Sequence, residues 1–232
     1  MKLAIMQPYF LPYLGYFQLI GCVDEFIVYD NIKYVKSGWI NRNRLCRGGE
    51  AAVFSLPLKA ASDSLDVRER ELAPSFEREK LLNQFRGAYH RAPQFPQVFA
   101  LLERIVGFGD NNLFGYLEHS IRGVCGFLGI GTPIRVSSGI GIDHSLKGED
   151  KVMDLCRAAG ASTYVNAIGG VDLYSKDEFR RRGVELKFIR MKPLEYPQFG
   201  TPFVPALSIV DVLMFNSPET VRRLVSDHYE LI

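Results

Sequence analysis

The chain has 232 residues, 47% of them hydrophobic and 23% charged, which excludes both a multidomain assembly and an intrinsically disordered segment. Lys and Arg number 28 against 26 Asp and Glu, a formal charge of +2, and this balance disfavours duplex nucleic acid as the main partner. Met1–Gln7 holds one lysine and a short apolar run that Pro8 and Pro12 follow. It is neither a signal peptide nor a spanning helix, so a cytoplasmic protein without membrane insertion is expected.

Residues 2–6 read as a short buried strand and residues 25–30, rich in aromatic and β-branched side chains, as a second. The stretch 13–23 between them is long enough for a helix. Strand, helix and strand within about thirty residues make a βαβ unit with parallel strands and a right-handed crossover. Residues 37–46 and 51–58 read as extended segments joined at Gly48–Gly49. Helical patterns follow over 76–90, 95–106 and 111–128, punctuated by Pro93, Pro96, Gly107 and Gly109. Alternation then returns, with strands over 133–137, 162–166 and 184–189 and helices over 148–159 and 176–182. A proline-rich segment, 193–205, leads to closing helices over 207–215 and 218–227. The expected fold is a single α/β domain over residues 1–232, with a mostly parallel sheet, helices on both faces and a helical subregion at about 74–129.

Ligands of open parallel sheets bind beyond the carboxyl ends of the strands. Here those ends carry Gln7, Asp30 and Asn31, Ser137 and Ser138, Asn166, and Arg190 with Lys192, although strand ends that border solvent are polar in any case. The loop after the first strand is the most unusual stretch. Pro12 suits the first turn of a helix and Gly15 permits close approach. Nucleotidyl-transferring and adenylate-forming enzymes of this topology carry His-x-Gly-His there. Tyr13-Leu14-Gly15-Tyr16 keeps the spacing and the glycine with tyrosines in place of both histidines, which gives the fold a nucleotidyltransferase-like (Rossmann-like) start. Tyrosine hydroxyls can hydrogen-bond phosphate but supply no positive charge, and the same rings could be core.

The next cluster, Trp39-Ile40-Asn41-Arg42-Asn43-Arg44, contains the single tryptophan. If extended, it sets Asn41 and Asn43 on one face and Arg42 and Arg44 on the other. Two guanidinium groups so spaced can clamp a phosphate or carboxylate beside a stacking surface, while a solvated basic edge strand is the plain alternative. Two asparagines in a strand are poor β formers and want a reason. In the segment Ser137 to Asp150, Gly139-x-Gly141 lacks the third glycine of a dinucleotide fingerprint. Glu149 and Asp150 suit a first helical turn, whereas His144 and Lys147 are candidates for proton transfer or phosphate contact. Gly169 and Gly170 after Asn166 form either an anion-binding turn or a simple tight turn. Cys22, Cys46, Cys125 and Cys156 are far apart with no Cys-x-x-Cys pair, so ordinary thiols are expected, with neither metal site nor disulfide.

Taken together these phrases resemble the WbqC-like protein family. The resemblance rests on Gln7-Pro8-Tyr9-Phe10-x-Pro12-Tyr13-x-Gly15-Tyr16-Phe17, on Trp39 to Arg44, on Lys147-Gly148-Glu149-Asp150, on Tyr164-x-Asn166-x-x-Gly169-Gly170, and on Tyr196-Pro197-Gln198 with Leu207-Ser208-Ile209-x-Asp211. It spans nearly the whole chain. It implies a product of a bacterial surface-polysaccharide (O-antigen, lipopolysaccharide) gene cluster that transfers an amino acid or acyl group to an amino sugar, and it supplies no catalytic residues to carry over. An amide of that kind can be made through an acyl-adenylate, which would call for ATP with Mg. A coenzyme A-dependent acyltransferase and a non-catalytic nucleotide-sugar binding module are the alternatives. In the transferase reading Arg42, Arg44 and Lys147 hold negative charge, Gln7, Asn41, Asn43 and Asn166 orient the substrate, Tyr13, Tyr16, Trp39, Gly169 and Gly170 shape its site, and His144 or Asp30 moves the proton.

Overall fold

The structure, a computed structural model, describes residues 1–200 and 202–232. In chain order its elements are β1 (Lys2–Met6), α1 (Leu14–Gly21), β2 (Glu25–Val28), β3 (Arg42–Arg47), β4 (Glu50–Ser55), α2 (Arg78–Tyr89), α3 (Phe95–Val106) and α4 (Leu113–Leu128). Then come β5 (Ile134–Val136), α5 (Gly148–Ala159), β6 (Thr163–Ala167), α6 (Lys176–Arg181), β7 (Glu185–Met191), α7 (Ile209–Phe215), α8 (Pro218–Asp227) and β8 (Tyr229–Leu231).

Six strands form one sheet in the order β5-β2-β1-β6-β7-β8, parallel except for β8, which runs antiparallel to β7. Counted among the five parallel strands as they occur in the chain, the order is third, second, first, fourth, fifth. The direction of winding therefore reverses between β1 and β6, and a sheet that reverses in this way opens a crevice at the carboxyl ends of the two central strands.

The strands alternate in what they bury, as a period of two requires. Ala4, Phe26, Val28, Val165 and Ile189 face a large core shared with α1, the three helices α2–α4, α7 and α8. Leu3, Ile5, Ile27, Tyr164, Leu186 and Phe188 face a smaller core under α5 and α6. Helices thus cover both faces, and a sheet so covered must be apolar on both sides of its central strands. Gln18, fully buried on α1, donates to the carbonyls of Leu224 (2.8 Å) and His228 (3.0 Å), fastening α1 to the end of α8.

β3 and β4 form a separate hairpin. Its two-residue loop is Gly48–Gly49, with φ of 62° and 84°. Two consecutive positive φ values define a type I′ turn, whose twist matches that of the flanking strands. The hairpin begins later than the sequence suggests. Ser37–Asn41 form turns, which the Arg42 guanidinium secures by reaching back to donate to the carbonyls of Ser37 and Gly38. Asn41 therefore precedes the strand, and the shared face expected for Asn41 and Asn43 does not form.

Candidate functional site

The loop that follows β1 is held in an unusual conformation. Leu11, fully buried, has φ of 44°, a left-handed geometry that costs a residue with a Cβ roughly 1–2 kcal/mol. Several separate segments hold it there. Asn43, on β3, donates its amide to the carbonyls of Phe10 (3.3 Å) and Leu11 (2.8 Å). Ser208, the N-cap of α7, donates to the Leu11 carbonyl at 2.7 Å, and the Ile209 amide donates to the Pro12 carbonyl at 2.8 Å. The two asparagines that suit a strand poorly now have their reason: Asn43 serves the backbone of a distant loop, and Asn41 links the Tyr34 hydroxyl to the Leu56 carbonyl.

The two tyrosines of Tyr13-x-Gly15-Tyr16 diverge. Tyr13 lies back over the start of α1, and a Cβ on Gly15 would sit 2.4 Å from its Cε2, so only glycine admits that ring. Tyr16 turns into the core against Phe26, with ring centroids 5.5 Å apart, and its hydroxyl donates to the Gln7 carbonyl at 2.9 Å. Tyr13 borders the crevice, whereas Tyr16 supports its floor from behind.

At the reversal point between β1 and β6 the crevice opens into a cavity of about 560 Å³. Its walls are aromatic, supplied by Tyr9, Tyr13, Tyr29, Trp39 and Tyr174. Its polar groups are Gln7, Asn43, Arg44 and Asn166, with Gly169 and Gly170 forming the turn beyond β6. The Asn166 carbonyl oxygen accepts the Ala167 amide at 2.8 Å. A Cβ on Gly170 would stand 2.3 Å from the Asn166 Nδ2, so this glycine gives the amide its room. Among the described residues neither that Nδ2 nor the Gln7 Nε2 has an acceptor, although Gln7 Oε1 accepts the Tyr9 hydroxyl at 3.0 Å. Both remain available as donors.

Arg44 is the one ionised side chain among the described residues lining this cavity. Its Nη2 donates to the Ala206 carbonyl at 3.0 Å, its guanidinium lies 5.2 Å from the Trp39 ring centroid, and its buried Nε has no hydrogen-bond partner. Ala206 has φ of 55°, a second strained residue at the cavity edge. Burial pushes the Tyr9 phenol up to about 12 and raises those of Tyr13, Tyr29 and Tyr174. At neutral pH these rings are uncharged. The described lining contains no carboxylate, histidine, lysine or cysteine, so it offers donors and ring faces and no group that titrates near neutrality.

A second polar cluster sits at the carboxyl ends of β2 and β5. Asp30 accepts hydrogen bonds from the Ser137 hydroxyl (2.8 Å), the Ser138 amide (2.9 Å) and the Ser138 hydroxyl, with Arg68 at 3.8 Å. Burial alone would raise its carboxyl, but the donors from Ser138 and Ser137 outweigh burial and hold it below the ordinary carboxylate range. Asn31 donates to His144 Nδ1 (2.9 Å), and His144 Nε2 lies 3.0 Å from the Ile140 carbonyl. Those partners occupy both ring nitrogens. Lys147, at the N-cap of α5, is exposed and has no hydrogen bond or ion pair among the described residues.

Lys151 is the residue that sequence reasoning overlooked. It is buried, donates to Asn31 O (3.2 Å) and Oδ1 (3.3 Å), and lies 5.6 Å from the Tyr29 ring centroid. No carboxylate stands within 4 Å of its ammonium among the described residues, and burial, opposed by the fields of Asp66 and Asp30, lowers its pKa. The signal was present: Lys151 is four residues before Leu155 and adjoins Val152, on the buried stripe of α5. Tyr29 joins the two clusters, one ring serving as cavity wall and as neighbour of Lys151.

The structure thus brings Gln7, Tyr13, Trp39, Asn43, Arg44, Asn166, Gly169 and Gly170 to one cavity and leaves Asn41, Arg42, Tyr16, Asp30, His144 and Lys147 outside its lining. Arg42 stacks on Trp39 at 5.5 Å and is otherwise committed to its own turn. The late motifs form a buried tie, in which Asp211 accepts from the hydroxyls of Tyr89 and Tyr196 and from the Gln198 amide, each at 2.8 Å. Residues 7–223 match the WbqC-like protein family, a span from the strained loop to α8 that takes in both clusters and the tie. The chain belongs to the WbqC-like protein family. A relative of similar length, the uncharacterized protein Rv1507c of Mycobacterium tuberculosis, is 27% identical over 218 residues, covering 93% of each chain. No solved structure matches this WbqC-like chain significantly. No helix among the described residues is long and apolar enough to cross a membrane.

Proposed function

We propose that this WbqC-like protein is a transferase of bacterial surface-polysaccharide biosynthesis that binds a nucleotide-linked sugar in the cavity between β1 and β6 and places an acyl or aminoacyl group on its amine. The observation that carries the reading is the lining: aromatic faces, amide donors and one guanidinium, with no negative charge. Such a surface selects ligands rich in acceptors with a negative group, and its rings stack on sugar or base faces. Arg44 takes a phosphate or carboxylate oxygen, and Gln7 and Asn166 take carbonyl or hydroxyl oxygens.

In the transfer itself the amine nitrogen bonds to an activated carbonyl carbon, and the leaving group departs with the bonding pair and takes up the proton that the amine releases. Gln7 Nε2 and Asn166 Nδ2 are the donors available to the developing oxyanion, and preorganised donors of this kind supply the larger part of such a rate enhancement. The lining does not fit a Mg-bound triphosphate. It has one cation and no carboxylate, and Tyr16, at the second histidine position of the adenylating motif, is spent on the Gln7 carbonyl. The donor in this reading is therefore activated before it arrives, as a coenzyme A or carrier thioester.

A second reading, a nucleotide-sugar binding module without turnover, is favoured by one observation: no described lining residue titrates near neutrality. A thermal-shift screen against nucleotide sugars, acyl-coenzyme A and ATP with Mg separates these, because ligands of the folded state raise its apparent stability. Stabilisation by a nucleotide sugar that Arg44→Gln removes, followed by acylated product in the mass spectrum, supports the transferase. Binding without product supports the module, and stabilisation by ATP with Mg alone would overturn both.

A further inference from the structure

The mouth of the cavity is apolar to a degree that folding does not explain. Leu173, on the short 3-10 helix of residues 168–173, is 70% exposed. Across the opening stand Trp39, 44% exposed, and Tyr13. Single exposed apolar side chains are ordinary, but several around one opening mark a contact surface. Two further observations say what contacts it. Leu173, Trp39 and Tyr13 also line the cavity, so the apolar rim and the interior are one continuous surface. The lone cation of that surface, Arg44, stacks on Trp39 at 5.2 Å and keeps an unpartnered Nε, which sets a positive charge against the apolar edge.

We propose that the ligand of this cavity is an amphiphilic anion, a molecule with one phosphate or carboxylate held at Arg44 and a hydrocarbon chain that leaves along Trp39 and Leu173. The inference deepens the transferase reading by assigning its acyl donor to the apolar rim of the cavity, and it rests on that reading. A free water-soluble sugar phosphate would leave the rim wet. An acyl chain or a lipid carrier would cover it, and each methylene buried there tightens binding about fourfold when fully removed from water.

Trp39 is the single tryptophan of the chain, so intrinsic tryptophan fluorescence reads this rim alone. The protein is titrated with butyl, octyl and dodecyl phosphate below their micellar concentrations, and in parallel with UDP-glucosamine, whose amine is free. The expected result is a blue-shifted Trp39 emission and a Kd that falls at least tenfold from butyl to octyl phosphate. Leu173→Ser, at an exposed position where folding is not at stake, flattens that dependence, with a loss that grows from butyl to dodecyl phosphate. Arg44→Gln weakens the whole series. A Kd independent of chain length, or a Leu173→Ser variant that keeps the full dependence, overturns the inference. The absence of a response to any of the monomeric alkyl phosphates also overturns it. Chain-length-dependent binding without any response to the nucleotide sugar would keep the amphiphile and refute the nucleotide-linked acceptor instead.

Discussion

Asn43 is the residue on which the geometry of the cavity most depends, and replacing it by aspartate tests that dependence with almost no change of shape. In the folded protein its amide donates to the carbonyls of Phe10 and Leu11, and its Oδ1 accepts the Arg44 amide at 2.8 Å. Asn43→Asp retains the acceptor and removes both donations. Leu11 keeps its bond from Ser208, but the Phe10 carbonyl is left with no side-chain donor, which costs about 1–3 kcal/mol. A carboxylate in this buried place then faces two carbonyl dipoles with no cation paired to it, and an uncompensated buried charge costs about 3–5 kcal/mol. Relaxation makes these overlap, so we expect a total loss of about 3–5 kcal/mol near neutral pH. Urea unfolding followed by circular dichroism would show the midpoint lowered by roughly 1–2 M. Burial raises the pKa of the introduced carboxyl, so its protonated form, which can donate one hydrogen bond, is favoured in the folded state. The loss is therefore smallest at low pH and grows as pH rises through that folded-state pKa. A variant within about 1 kcal/mol of the parent at both pH 5 and pH 8 would show that the strained loop does not need the Asn43 amide.

Three further substitutions probe the neighbouring parts. Gly170→Ala places a Cβ 2.3 Å from Asn166 Nδ2; we expect about 1–3 kcal/mol of overpacking, a Tm lower by several degrees, and at least a tenfold loss of cavity binding by fluorescence. Binding at parental strength would mean that Asn166 does not contact the ligand. Asp211, with its pKa raised by burial against the donors Tyr196, Gln198 and Tyr89, contributes stability that is complete below the unfolded carboxyl value and is lost as pH rises through its folded value. Asp211→Asn should lack that component in a pH series of denaturant midpoints, and an unchanged pH profile would refute the assignment. Asp30 has the opposite sign: its lowered pKa gives stability present above the unfolded value and lost as pH falls through the folded value. Asp30→Asn should cost about 1–3 kcal/mol at pH 7 and flatten the acid limb of the same series, whereas a limb as steep as the parent's would place that proton uptake elsewhere.

Much of the fold is legible because its signals are local. The buried strands show as short apolar runs, the helices as stripes closed by glycine or proline, and the β3–β4 turn as Gly48–Gly49. The segment before β3 is misread as extended because Arg42 folds its guanidinium back onto Ser37 and Gly38, a contact that period-two alternation does not encode. β8 escapes notice because three residues at a sheet edge carry too little pattern. The site divides along the same line. Strand ends point to Gln7, Asn166 and the Gly169–Gly170 turn, and residue type points to Trp39 and Arg44. What Asn43 does depends on a loop 32 residues away, and the exposure of Leu173 depends on a short 3-10 helix that no periodicity announces.

The central position of β1 also bears on how the molecule comes into being. One neighbour, β2, follows directly across α1, but the other is β6, and Ile5 and Tyr164, which meet across that pairing, are 159 residues apart in the chain. During synthesis β1 can associate with β2 and then β5 while the strand that forms the opposite wall of the cavity is still untranslated. Pairings this distant are slow to form because the intervening chain must first be ordered, and until β6 arrives one edge of β1 is open to improper partners. The same gap that makes the crevice is the longest stretch of chain that any pairing of the sheet must close.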